Sequence, residues 1–155
     1  MNVNENLKKH NLTLPPVPEK GGLYVPVREF GDNLVYVSGC GPNIEGDEVF
    51  SGKLGKEYTL QDGQRAARKA ALNLLAVMQS NLGDLSKVKK IVKLLCFVAS
   101  ENDFYQQPQV TNAASQLLAD VFGEKIGIGA RSAIGVNVLP GNIPFEIEVL
   151  AELHE

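Results

Sequence analysis

Gly129-Ala-Arg-Ser-Ala-Ile-Gly-Val-Asn-Val-Leu-Pro140 and, after a Gly-Asn-Ile-Pro turn, Phe145-Glu-Ile-Glu-Val-Leu-Ala-Glu-Leu153 close the chain with two alternating segments. Alternation with period two is the signature of a strand with one buried face, so Ser132 to Leu139 and Phe145 to Leu153 read as a terminal hairpin. Burying one common core groups Ile134, Val136 and Val138 with Phe145, Ile147, Val149, Ala151 and Leu153. That grouping places Arg131, Ala133, Gly135 and Asn137 on the opposite face, beside Glu146, Glu148 and Glu152.

Working back from the hairpin, Val88 to Ala99 is a nearly continuous apolar run of the kind expected for a central strand buried on both faces. Two helices flank it in sequence. The first is predicted over 60–82: Thr59 and Asp62 form a capping box, Leu60, Ala67, Ala71, Leu74, Met78 and Leu82 make one stripe, and Gly83 ends it. The second is predicted over 109–122, where Val110, Ala113, Ala114, Leu117, Leu118 and Val121 share a face and Gly123 follows. Nearer the N-terminus, Leu23 to Val27 and Leu34 to Cys40 read as a hairpin about Gly31, Asp32 and Asn33. Residues 41–58 read as a loop with room for one short strand at 48–50. The polar stretch 1–20, with Pro15, Pro16 and Pro18, reads as an extended N-terminal arm before a single domain over 21–155. The order ββ(β)αβαββ predicts an α+β sandwich, a mixed sheet with two helices packed on one face.

Composition sets outer bounds. A chain of 155 residues, 44% hydrophobic, suits one core. The absence of a long apolar run or signal-like start points to a cytoplasmic protein with no membrane partner. A net charge of −3 does not favour a nucleic-acid partner. Cys40 and Cys96 form no Cys-x-x-Cys pair and the two histidines, His10 and His154, lie near the chain ends, so no metal site is expected.

The chemistry sits on the second face of the terminal segments. Small residues there leave room for a ligand, Arg131 offers a planar pair of donors suited to a carboxylate, and a glutamate accepts a proton from water or ammonium. Arginine and glutamate on an exposed sheet face equally make solvated ion pairs of little consequence, and the pattern alone does not choose between the two readings.

Taken with Tyr24-Val25, Val37-Ser38-Gly39, Pro42, Val88 to Val98 and Asn102-Asp103-Phe104, the terminal segments resemble the reactive-intermediate deaminase family, also called the YjgF family. The resemblance runs from Gly21 to the end. It implies a chorismate-mutase-like sandwich assembled as a homotrimer with sites between subunits. It further implies hydrolysis of short enamine or imine acids, such as 2-aminoacrylate, to 2-keto acids and ammonia, without a cofactor. Arg131 matches the residue that holds the substrate carboxylate and Glu146 the acid that positions water. Tyr24, Ser38 and Asn112 match further pocket residues, Tyr24 also assisting the water. Many relatives carry cysteine where this chain has Ala133. The alternatives are a non-enzymatic binding module for keto or amino acids and, lower, an endoribonuclease.

Overall fold

The computed structural model describes residues 2–155. Its elements run α1 (Val3–Lys9), β1 (Val27–Phe30), β2 (Leu34–Cys40), α2 (Leu60–Leu82), β3 (Val88–Ala99), α3 (Gln107–Phe122), α4 (Glu124–Gly127), β4 (Ala130–Val136) and β5 (Phe145–Leu153). The five strands form one mixed sheet in the order β1-β2-β5-β3-β4, with β4 parallel to β3 and the other pairs antiparallel. The α+β sandwich expected from the sequence is therefore present, with α2 and α3 packed together on one face of the sheet.

The long helix forms where its signals lie. Thr59 and Asp62 satisfy each other's backbone amides in a capping box, and Gly83 terminates the helix at φ 82°. Its buried face carries Ala66, Ala67, Ala70 and Ala71, so the backbone can approach its neighbours closely. Gly63 extends that approach, since an added Cβ would meet Leu54 Cδ1 at 2.5 Å and Val110 at 3.2 Å. In α3, Pro108 occupies the first turn, where a missing N–H costs nothing, so the helix starts two residues earlier than the apolar stripe suggests.

Register defines the two faces of the sheet. Leu94 pairs with Val149 and Arg131, and Cys96 with Ile147 and Ala133, all turned toward the helices. Leu95 pairs with Glu148 and Ser132, and Phe97 with Glu146 and Ile134, on the face that none of the described helices covers. Val35, Val37, Leu94, Cys96, Val98, Phe145, Ile147 and Val149 close the core with the helices.

Several expectations are corrected. The last two strands are not a hairpin, because β3 lies between β4 and β5. Ile134 and Val138 are 43% and 63% exposed and do not join the core, so the expected grouping of Arg131 with Glu146 on one face fails. β3 is an interior strand, but only its helix face is fully buried. The first strand begins at Val27, after Pro26, whose ring nitrogen has no proton for a ladder. No strand forms at 48–50; instead the Asn43 side chain bonds both backbone groups of Phe50. Part of the expected extended arm is helical: Asn2 and Glu5 cap α1, and the Asn6 amide donates to the Val121 carbonyl at 2.9 Å. No helix among the described residues is long and apolar enough to cross a membrane.

Candidate functional site: two half-sites on one sheet

Two clefts hold the residues singled out in the sequence. The first, of about 360 Å³, is walled by Tyr24, Ser38, Gly39, Ile143 and Glu146. Between Val37 and Cys40 the ladder to β5 slips, three steps of β2 matching two of β5, and this bulge lies beside Glu146. A Cβ on Gly39 would overlap Glu146 Oε1, so the carboxylate lies directly against the β2 backbone, a position only glycine leaves open.

Glu146 differs from its neighbours on the bare face. Glu148 accepts a hydrogen bond from the Tyr36 hydroxyl, and Glu152 pairs with Lys89 and Lys90 at 2.8 and 3.0 Å. Glu146 has no hydrogen-bond or ion-pair partner among the described residues. Burial, and secondarily the charge of Glu148, raises its carboxyl above the ordinary value of 4.5. A half-buried, unpartnered carboxylate with a raised pKa is costly to keep for structure alone and suited to moving a proton. Nearby, Cys40 is pushed up to about 12 by burial and then by Glu146, which leaves it a protonated, inert thiol.

Tyr24 is 40% exposed at this cleft, and its phenol oxygen accepts from the Gly21 amide at 3.2 Å, leaving the phenolic proton for a ligand. The Ser38 hydroxyl is engaged differently. It donates to the Val25 carbonyl at 2.8 Å while its amide donates to Pro26, so it ties the segment carrying Tyr24 to β2.

The second cleft, also about 360 Å³, opens at the sheet edge between β4 and α3 and is walled by Asn112, Ser115, Gln116, Gly129 and Arg131. Arg131 Nη1 donates to Asn112 Oδ1 at 2.9 Å and to Ser115 Oγ at 3.1 Å, while Nη2 donates to the Pro108 carbonyl at 3.4 Å. Asn112 and Ser115 are three residues apart, hence neighbours on one helix face. With those bonds made, Nε and one Nη2 proton have no partner among the described residues, and they suit a carboxylate.

The structure thus brings Tyr24, Ser38 and Glu146 together and, separately, Arg131 and Asn112. It does not bring Arg131 to Glu146. Ser115 was missed in the sequence, although its place one turn after Asn112 was the available signal. Among the described residues no group of three or more His, Cys, Asp or Glu side chains converges as a metal-ligand set.

Residues 4–153 match the sequence model of a family described as "YjgF/chorismate mutase-like, putative endoribonuclease". The chain belongs to the YjgF family. Protein TCP17 of Trypanosoma cruzi is 40% identical over 152 residues, which span 98% of this chain and 94% of that one. The crystal structure of Atu1372 from Agrobacterium tumefaciens, a protein of unknown function, is 40% identical with a TM-score of 0.88, over 98% of this chain and 92% of that one. A Shewanella oneidensis structure, described as that of a "putative endoribonuclease", is 30% identical with a TM-score of 0.92, over 99% and 100% of the two chains. The YjgF match begins inside α1 and ends with β5, so both clefts fall within it.

Proposed function

We propose that the protein hydrolyses short 2-imino acids, the tautomers of 2-enamino acids such as 2-aminoacrylate, to 2-keto acids and ammonia. The sites are completed between neighbouring copies in a homotrimer. The observation that carries this reading is the Arg131 guanidinium, fixed by Asn112, Ser115 and the Pro108 carbonyl with two protons left over. A guanidinium held in one plane is matched to a carboxylate, and fixing it in advance reduces the entropy lost on binding.

The other half of the chemistry belongs to the Glu146 cleft. Water attacks the imine carbon, and one of its protons passes by way of Glu146 to the nitrogen, which receives the C=N electron pair. The product of this step is an amino alcohol. Transfer of the hydroxyl proton to nitrogen then breaks the C–N bond, releasing ammonia and leaving the keto acid. A raised pKa makes Glu146 a better proton acceptor than an ordinary carboxylate, and the exposed Tyr24 hydroxyl is a second group able to orient the water.

The placement of the two halves supports assembly. Arg131 faces the helices at the β4 edge and Glu146 projects from the bare face, so a single chain does not complete the site. The bare face carries the exposed Ile134 beside half-buried Leu95, Phe97 and Leu150, apolar area that a second copy would bury further. The homotrimer implied by the family resemblance uses both features at once.

The endoribonuclease reading finds less support. No histidine lines either cleft among the described residues. His10 instead faces Asp120 at 3.9 Å at the end of α1. The deciding experiment generates imino acids in situ and follows keto acid and ammonia together. Stoichiometric release accelerated by the protein and abolished by Glu146→Gln supports hydrolysis, whereas keto-acid binding with no acceleration leaves a binding module.

A further inference from the structure

Outside the two half-sites, the bare face of the sheet holds charges that the single chain does not match with opposite charge. Lys93 is half-buried and makes no ion pair among the described residues; its ammonium donates to the Ser132 hydroxyl at 2.7 Å. Glu148 is half-buried as well, and its carboxylate accepts from the Tyr36 hydroxyl. The two belong to one patch, since Leu95 pairs with both Ser132 and Glu148, while Lys93 pairs with Leu150, the second residue after Glu148.

Within that patch they point away from each other. In the strand order β1-β2-β5-β3-β4, Lys93 leans from β3 outward to β4 and Glu148 leans from β5 outward to β2. Arg28, across the ladder from Tyr36, is exposed on the outer strand β1 and makes no ion pair with Glu148. A charge that gives up part of its hydration and gains only a hydroxyl is poorly compensated, and an opposite charge brought to it restores the balance.

The half-sites indicate where that charge comes from. Arg131 opens at the β4 edge, and Glu146 projects from the bare face of β5. A site that joins them sets the β4 edge of one copy against the bare face of the next. The cation carried beside that edge is Lys93, bonded to the residue that follows Arg131. The acid beside Glu146 is Glu148, on the same face of β5 and about 7 Å further along the strand. Bringing arginine to glutamate therefore brings ammonium to carboxylate, one step away on each side.

We propose that Lys93 of one copy pairs with Glu148 of the next and fixes the register in which Arg131 meets Glu146, an inference that rests on the shared-site reading above. Opposite charges placed this way reward one alignment of the copies and penalise slipped ones, and a closed ring repeats the pair at every interface.

The test co-refolds equal amounts of unlabelled and heavy-isotope-labelled full-length protein and treats the assembly with a carbodiimide, which joins an amine to a carboxylate in contact with it. Mass spectrometry should find Lys93 linked to Glu148, with about half of the links joining one labelled and one unlabelled peptide, as random neighbours in a ring require. No such link, or links only between peptides of the same label, overturns the pair. Charge reversal gives a second reading by sedimentation. Lys93→Glu and Glu148→Lys should each raise the dissociation constant of the assembly at least about tenfold, and the two together should restore it. Single variants that assemble like wild type overturn the pair; the cross-link, made on wild type, decides it even where a reversed charge prevents folding. A protein that assembles and hydrolyses imines without the link keeps the proposed function and loses the pair. A linked assembly that turns over no imine keeps the pair and loses the function.

Discussion

Arg131 and Glu146 project from opposite faces of one sheet, on strands separated by β3. Each stands at the centre of its own polar arrangement, a clamp on α3 for the arginine and a glycine-backed recess for the glutamate.

Loss of the clamp should weaken binding while leaving the fold in place. Arg131→Ala removes little packing at an edge strand, and 2-keto acid affinity should fall about tenfold to a hundredfold, as for a charge-assisted pair. Arg131→Lys should not restore it, because a point charge does not reproduce the planar pair of donors. Calorimetric titration with 2-oxobutyrate, with a thermal melt as the control for folding, checks both.

Ser115→Ala should act through Arg131. With one of its three fixing bonds gone, the guanidinium gains freedom, and KM should rise several-fold with kcat nearly unchanged. Ser115→Thr, which keeps the hydroxyl, should recover much of the loss. A fall in kcat alone would assign Ser115 a different role.

Gly39→Ala is expected to mimic loss of the acid. The new Cβ overlaps Glu146 Oε1, so the carboxylate must leave its recess. Turnover should fall toward that of Glu146→Gln, about a hundredfold or more for a displaced acid–base group, with ligand affinity largely kept. Steady-state rates beside direct binding measurements separate the two effects.

Stability should report the same carboxylate. Burial raises the Glu146 pKa in the folded state, so folding takes up a proton and the charged form opposes the fold. Its stability cost is absent below the unfolded value, near 4.5, and grows as pH rises through the folded one. Glu146→Gln should therefore melt higher than wild type at neutral pH, with the difference shrinking toward pH 4. An equal or lower melting temperature at pH 7 would show that the charged form is not penalised there.

Much of the fold was legible because local signals agreed with tertiary need. The 60–82 helix, with its capping box and terminal glycine, falls where the sequence puts it, and β2 spans its predicted residues. The clearest failure, the face of β4, has a physical cause. Ile134 and Val138 are apolar yet exposed, so hydrophobicity on this strand does not mark the helix-packed core. Its helix face instead uses Ala133 and Gly135, where an added Cβ on Gly135 would meet Gln107 Nε2 at 2.9 Å. Alternation alone cannot tell a face buried by helices from an apolar face left bare in the single chain. Nor does adjacency in sequence reveal that a third strand enters between two neighbours.

The candidate site divided along the same line. Tyr24, Ser38 and Glu146 line one cleft, although the Ser38 hydroxyl is spent on the Val25 carbonyl. Asn112 reaches Arg131 across the gap between α3 and β4. Ser115 carried no signal beyond its spacing from Asn112, and the Pro108 carbonyl carried none, since only the distance between α3 and β4 makes them partners of Arg131.

Mixing two inactive variants decides whether each site takes its arginine from one copy and its glutamate from another. Arg131→Ala and Glu146→Gln chains are combined in equal amounts, unfolded, refolded together and assayed for imine hydrolysis. In a cyclic assembly with random incorporation, a site regains both groups when one specified copy carries the arginine and its neighbour the glutamate, which gives about one quarter of wild-type activity. That recovery is expected from parents that are each nearly inactive. Activity no greater than the average of the two parents, in a mixture shown to contain mixed assemblies, would contradict it.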